Sequence, residues 1–295
     1  MNEGFTVFLS RKICGSLYSE PYRHFLSMTG WTNDLKPVVE EFGPEHEFTK
    51  LVQDHTNVDP CKAFSYLSGE KGSAFLFYLE QKLGGPEVFE KFLRSFVNNF
   101  KFKSITTDDF LEYLKKYFHH QEEALELIDF DHWLHDPGVP RMRPVFDHSM
   151  AKACADMREL WLHLDGETIA MISAEDYHSL APQQKIEFLS LLLTEKSIPH
   201  FKLETMSTLY GLRSASNCEI FVNFVRLGIK SRWPPAIGLA VKLVSRQGRL
   251  NINRTVYREL AHWKPDIAIQ TFQASRQYLH PIVDKLIEDD LALIG

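Results

Sequence analysis

No CxxC pair occurs among the four cysteines, Cys14, Cys61, Cys154 and Cys218. Their wide spacing excludes a disulfide framework and a cysteine-based metal knuckle; it fits reduced thiols, three of them on apolar helical faces. No apolar run approaches the roughly 18 residues that span a bilayer. Residues 1–20 mix Glu3, Arg11 and Lys12 among apolar residues, unlike a signal peptide. Basic excess is missing too. The net charge is −6, with acids and bases interspersed, which excludes a nucleic-acid face and a polybasic membrane patch. No G-x-S-x-G surrounds a serine, so serine-nucleophile chemistry has no support. The cytoplasm is the default location.

What is present is helix. Few segments alternate with period two, which predicts an all-α chain. At 295 residues, with 44% hydrophobic and 24% charged residues, there is enough for two domains with real cores. Phe5, Phe8, Leu9, Lys12 and Ile13 recur at helical spacing. A second helix is expected after Gly72, stopping at Gly84-Gly85. Pro86 then opens a helix that buries Val88, Phe89, Phe92, Leu93 and Phe96. Thr106 or Thr107 caps the next, with Asp108 and Asp109 at its positive end. Pro137, Pro140 and Pro144 break the pattern and predict a stiff linker over 136–146, between domains 1–135 and 147–295. Beyond it, short helical stripes joined by Gly, Pro and Asn turns fit an armadillo- or HEAT-like stack of antiparallel pairs.

Three polar clusters read as ordinary structure. His46-Glu47-Phe48-Thr49-Lys50 misses HExxH because an ammonium at Lys50 has no lone pair for a metal; a polar turn is expected. His119-His120 suits a helix C-terminus. Asp129, Asp131, His132 and His135 could bind an adventitious metal, but a solvated helix end is the simpler reading.

The opening Met1-Asn2-Glu3-Gly4-Phe5 carries the chemistry. Asn-Glu-Gly at the head of an amphipathic helix resembles the third-ligand segment of the M1 zinc aminopeptidases. The resemblance extends through NEGFTVFLSRKICG (2–15), FTKLV (48–52), EKGSAFLFYLEQKLGG (70–85), KSITTDDF (103–110), PGVPRMRP (137–144), QGR (247–249) and His280-Pro281. It is collinear, runs nearly end to end, and points to the leukotriene A4 hydrolase and aminopeptidase B branch. It implies the helical lobe of a thermolysin-like catalytic domain, then a leukotriene A4 hydrolase-type helical C-terminal domain.

By that resemblance Glu3 is a zinc ligand, and the two histidines and general base of HExxH are not found in these residues. Such an enzyme takes the N-terminus of a peptide; the leukotriene hydrolases also open an epoxide. Arg249 matches an arginine that binds the substrate carboxylate, a task for which a guanidinium fork is suited; a lysine that assists it falls at Asn251. Read without the family, Arg249 is a surface arginine near a helix C-terminus, after Gly248 as cap. The family's transition-state tyrosine falls at Gly69, a second tyrosine at Phe64, and an acidic residue at Cys61. Tyr66 is the nearest phenol. The expectation is a truncated metallopeptidase chain, inactive by itself and retaining no zinc. The alternative is a catalytically dead helical scaffold that binds a protein partner through its C-terminal domain.

Overall fold

Two glycines decide how the first part of the molecule is built. The structure is a computed structural model that describes residues 1–58 and 65–293. Contacts divide the chain into two units, Met1–Met150 and Ala151–Gly295. Among the described residues there is no strand, as the absence of period-two patterning requires.

In the first unit α1 (Asn2–Leu17) is followed by α2 (Glu20–Thr29), a π-helical turn (Gly30–Leu35) and α3 (Lys36–Phe42). Ser19 caps α2 by accepting from the Tyr22 amide. Next come α4 (Leu67–Lys82), α5 (Pro86–Phe100), α6 (Thr107–Tyr117), α7 (Glu122–Glu126) and α8 (Phe130–His135). Gly84 and Gly85 both have positive φ and set Pro86 in the first turn of α5. Thr106 and Asp109 form a capping box at the start of α6. The core is aromatic: Phe89, Phe92, Phe110 and Phe118 are buried against one another, and Phe5 stacks on Phe96 with centroids 5.6 Å apart.

The helix expected after Gly72 starts at Leu67 instead, so Gly72 lies inside α4. Glycine is a poor interior helix residue, but here it is the contact point. A Cβ on Gly4 would stand 2.6 Å from the Gly72 Cα, and one on Gly72 would stand 2.8 Å from the Gly4 Cα. The backbones of α1 and α4 touch directly.

Within buried α4, Lys71 is 1% exposed. Its Nζ donates to the carbonyls of Thr49 (2.9 Å), Asp136 (2.9 Å) and Gly138 (3.1 Å). Burial pushes the ammonium down to about 8 from the ordinary 10.5, with nearby Asp136 pulling the other way. The unfolded chain therefore binds this proton over a pH range in which the folded chain has released it. Stability is gained as pH rises from about 8 towards 10.5 and lost as pH falls through about 8. The gain is roughly 3 kcal/mol at most, at ~1.4 kcal/mol per pKa unit. Urea unfolding across this window should show that slope in the wild type and not in Lys71→Met.

The proline-rich segment is held to the first unit. Gly138 N donates to Thr49 Oγ1 at 2.8 Å, and Gln81 makes a reciprocal pair with the backbone of Val145 at 2.7 and 2.8 Å. His132 does not sit at a solvated helix end as expected; it is 7% exposed, because its ring is engaged on both sides by the segment that follows.

The second unit carries α9 (Ser149–His163, the first two residues counted with the first unit), α10 (Glu175–Ser179), α11 (Pro182–Leu193) and α12 (His200–Leu209). After them come α13 (Cys218–Lys230), α14 (Pro235–Val244), α15 (Leu250–Ala261), α16 (Pro265–Ser275) and α17 (Pro281–Ala292). Apolar α13 packs on α11, α14 and α15, and α15 packs on α16 and α17. This is the stacked-helix arrangement expected from the short stripes.

Candidate functional site

Glu3 stands in the first turn of α1 with its side chain exposed. A carboxylate is favoured there by the unpaired amides and the helix dipole. Asn2 Nδ2 donates to Glu3 Oε1 at 3.3 Å. The helix beneath it is fixed by Phe5 on Phe96 and Phe110, by Phe8 on Phe89, and by Gly4 on Gly72. One turn before Gly72, Gly69 faces the same contact. A Cβ built there would lie 3.8 Å from the Glu3 Cβ and 3.2 Å from Val7 Cγ2. The structure thus brings together Glu3 and Gly69, which the sequence separates by 66 positions (69 − 3).

Tyr66 is the N-cap residue of α4 and is 57% exposed; its carbonyl accepts from Glu70 N at 3.0 Å. Cys61 and Phe64 lie outside the described residues. Beside Gly69, Glu70 pairs with Arg11 at 2.7 Å, and Arg11 also reaches Ser73 Oγ at 3.4 Å. This ion pair is nearly enclosed and lies directly on Gly30, where a Cβ would collide with both side chains. Asp34, on the π-helical turn, reaches solvent, yet desolvation first and the Glu70 charge second push its carboxyl up to about 6. Arg11, Glu70 and Asp34 were not singled out from the sequence. The available signal was a charged Glu-Lys pair inside an otherwise apolar helix.

Arg249 belongs to the second unit. It is not near a helix C-terminus, and Gly248 is not a helix cap: α14 ends at Val244 and Arg249 is the N-cap residue of α15. The three-residue turn from Arg246 to Gly248 moves it to the next helix. Its guanidinium pairs with Glu219 at 3.0 Å, both side chains being largely exposed, so the pair adds little stability. Gln247 Nε2 contacts Cys218 Sγ at 3.0 Å, and Asn253 Nδ2 donates to the Gln247 carbonyl at 2.6 Å.

A catalytic zinc takes three protein donors and leaves a fourth position open. Among the described residues no group of three His, Cys, Asp or Glu side chains could hold a metal. Glu3 alone does not fit the ion.

A helical lobe that lays an Asn-Glu-Gly helix across a Glu-Lys-Gly helix, followed by a stacked-helix unit, defines an M1-type peptidase architecture. The profile "Peptidase family M1 domain" matches residues 1–133, and "Leukotriene A4 hydrolase, C-terminal" matches residues 180–291. The chain belongs to the M1 peptidase family, in its leukotriene A4 hydrolase branch. It is 38% identical over 293 residues to leukotriene A-4 hydrolase of Xenopus laevis, covering 99% of this chain and 48% of that protein. It is 36% identical over 295 residues to leucine aminopeptidase 2 of Emericella nidulans, covering 99% of this chain and 47% of that protein. The structure of yeast LTA4 hydrolase in complex with bestatin superposes with a TM-score of 0.90 at 29% identity, covering 98% of this chain and 49% of that one. The chain spans about half the length of the curated relatives it matches. Among the described residues no helix is long and apolar enough to cross a membrane.

Proposed function

We propose that residues 1–295 are the helical part of an M1 zinc aminopeptidase, contribute Glu3 as a metal-ligating carboxylate, and do not hydrolyse peptides by themselves. The observation that carries this reading is the position of Glu3, exposed at the head of α1 and against Gly69 of α4. The substrate class is the N-terminus of a peptide, in keeping with relatives named leucine aminopeptidase 2. Arg249 anchors a substrate carboxylate in this reading, and must leave Glu219 to do so. The proline-rich residues 136–146 connect the catalytic lobe, 1–135, to the C-terminal domain, 147–295. The compartment is the cytoplasm.

Gly69 weakens the chemistry further. It stands where the family places a phenol whose hydroxyl donates to the oxyanion, and losing one such donor costs about 3 kcal/mol, on the order of 100-fold in rate. The second reading, a catalytically dead helical scaffold with a protein partner, is favoured by Gly69 and by the occupied guanidinium of Arg249.

Leucine 4-nitroanilide hydrolysis by the purified 295-residue chain, with and without added zinc, tests the proposal. No turnover above Glu3→Ala is expected, and elemental analysis should find far less than one zinc per chain. Chelator-sensitive turnover by the wild type would overturn the claim that these residues are inactive by themselves, and such turnover left intact in Glu3→Ala would overturn the ligand role of Glu3.

A further inference from the structure

His132 sits on α8 with both ring nitrogens committed. Its Nε2 accepts the backbone N–H of Arg141 at 3.0 Å, and Nδ1 lies 2.7 Å from Asp136 Oδ2. An N–H donor on Nε2 requires that nitrogen to be bare, so Nδ1 carries the proton and gives it to Asp136; the ring is neutral. Asp136 also accepts from Arg141 Nη2 at 3.1 Å. The charged groups around this arrangement are Asp136 and Arg141 from the following segment, Asp129, whose Oδ1 accepts the His132 amide, and Lys71 of α4, which holds the carbonyls of Asp136 and Gly138.

We propose that His132 is an acid-sensitive clasp: taking up a proton at Nε2 releases Arg141 and frees the proline-rich turn between Gly138 and Val145. Protonation points an N–H at the Arg141 N–H, two donors facing each other where the histidine is only 7% exposed. The added attraction to Asp136 does not offset this. That carboxylate is 40% exposed and already shared with Arg141, so the new charge pair is screened. The hydrogen bond from His132 holds the Asp136 carboxyl below its ordinary range, so Asp136 stays ionised while the imidazole titrates. The released turn keeps its Lys71 and Thr49 contacts at Gly138 and its Gln81 contacts at Val145, which makes the change local to residues 139–144.

Hydrogen-exchange mass spectrometry on the peptide 137–146 of the full chain reads the clasp. After correction for intrinsic exchange chemistry, rates should rise by more than about tenfold as pH falls from about 8 to about 5, the range in which imidazoles take up protons. His132→Gln keeps an acceptor of similar reach that does not protonate, so its corrected rates should stay flat. Unchanged wild-type rates, or an equal rise in the variant, would overturn the proposal. If His132→Gln does not fold, histidine NMR on the wild type replaces it. The His132 titration and the exchange transition must then share one midpoint, and separate midpoints count against the clasp.

Discussion

Glu80→Ala is expected to cost about 3–5 kcal/mol, the penalty for stripping one partner from a buried ion pair. Glu80 is fully buried on α4. It accepts from Arg23 Nη2 at 2.6 Å and from Lys12 Nζ at 2.7 Å. Arg23 is 1% exposed, also meets Glu20 at 2.8 Å, and lies between the rings of Phe8 (5.3 Å) and Phe77 (4.4 Å). Removing the carboxylate leaves a guanidinium in an aromatic slot with only the half-exposed Glu20 to answer it. The double variant Arg23→Met, Glu80→Met should recover most of the loss, because a thioether packs well on aromatic faces and a buried pair often breaks even against apolar residues. Denaturant unfolding of Arg23→Met, Glu80→Met and the double provides the cycle. Additive losses in the double variant would show that the network is not a charge-compensated unit.

Gly4→Ala should be nearly as damaging. The new methyl meets Gly72 Cα at 2.6 Å, Gly72 C at 2.7 Å and Ser73 N at 3.1 Å, all of them backbone. A flexible side chain could step aside; a helix backbone cannot, so the cost falls at or above the upper end of overpacking, about 3 kcal/mol. A loss of that size lowers Tm by roughly 10 °C in a unit of this size. The substitution also lifts α1 from α4, and with it Glu3 from Gly69. Calorimetry of the variant decides: an unchanged melting temperature would mean that the two helices do not touch at these glycines.

Much of this was open to inspection in the sequence. The helical stripes of α5 and α6, the Gly84-Gly85-Pro86 boundary and the Thr106 cap follow from local chemistry: positive φ, a fixed proline φ and a hydroxyl that accepts an amide. The Asn-Glu-Gly, Glu-Lys-Gly and Gln-Gly-Arg segments were equally visible as family marks. What local chemistry misses has a common cause. Glycine is locally a breaker, so Gly72 reads as a helix boundary, while its long-range use as a contact point leaves no local trace. His132 reads as solvated, because its partners, Asp136 and the Arg141 amide, are met only when the chain turns back. Arg249 reads as following a helix, yet it precedes one as the N-cap residue of α15.

By itself the sequence determined that this chain is helical and that it carries the marks of the M1 family in its leukotriene A4 hydrolase branch. Each of these is a property of neighbouring residues or of periodicity along one helix. Only the tertiary structure decided that Glu3 meets Gly69, that Glu80 holds Arg23 and Lys12, and that Lys71 gathers three carbonyls. Those pairings join residues dozens of positions apart, and their energies depend on burial, which no single segment possesses until another packs against it.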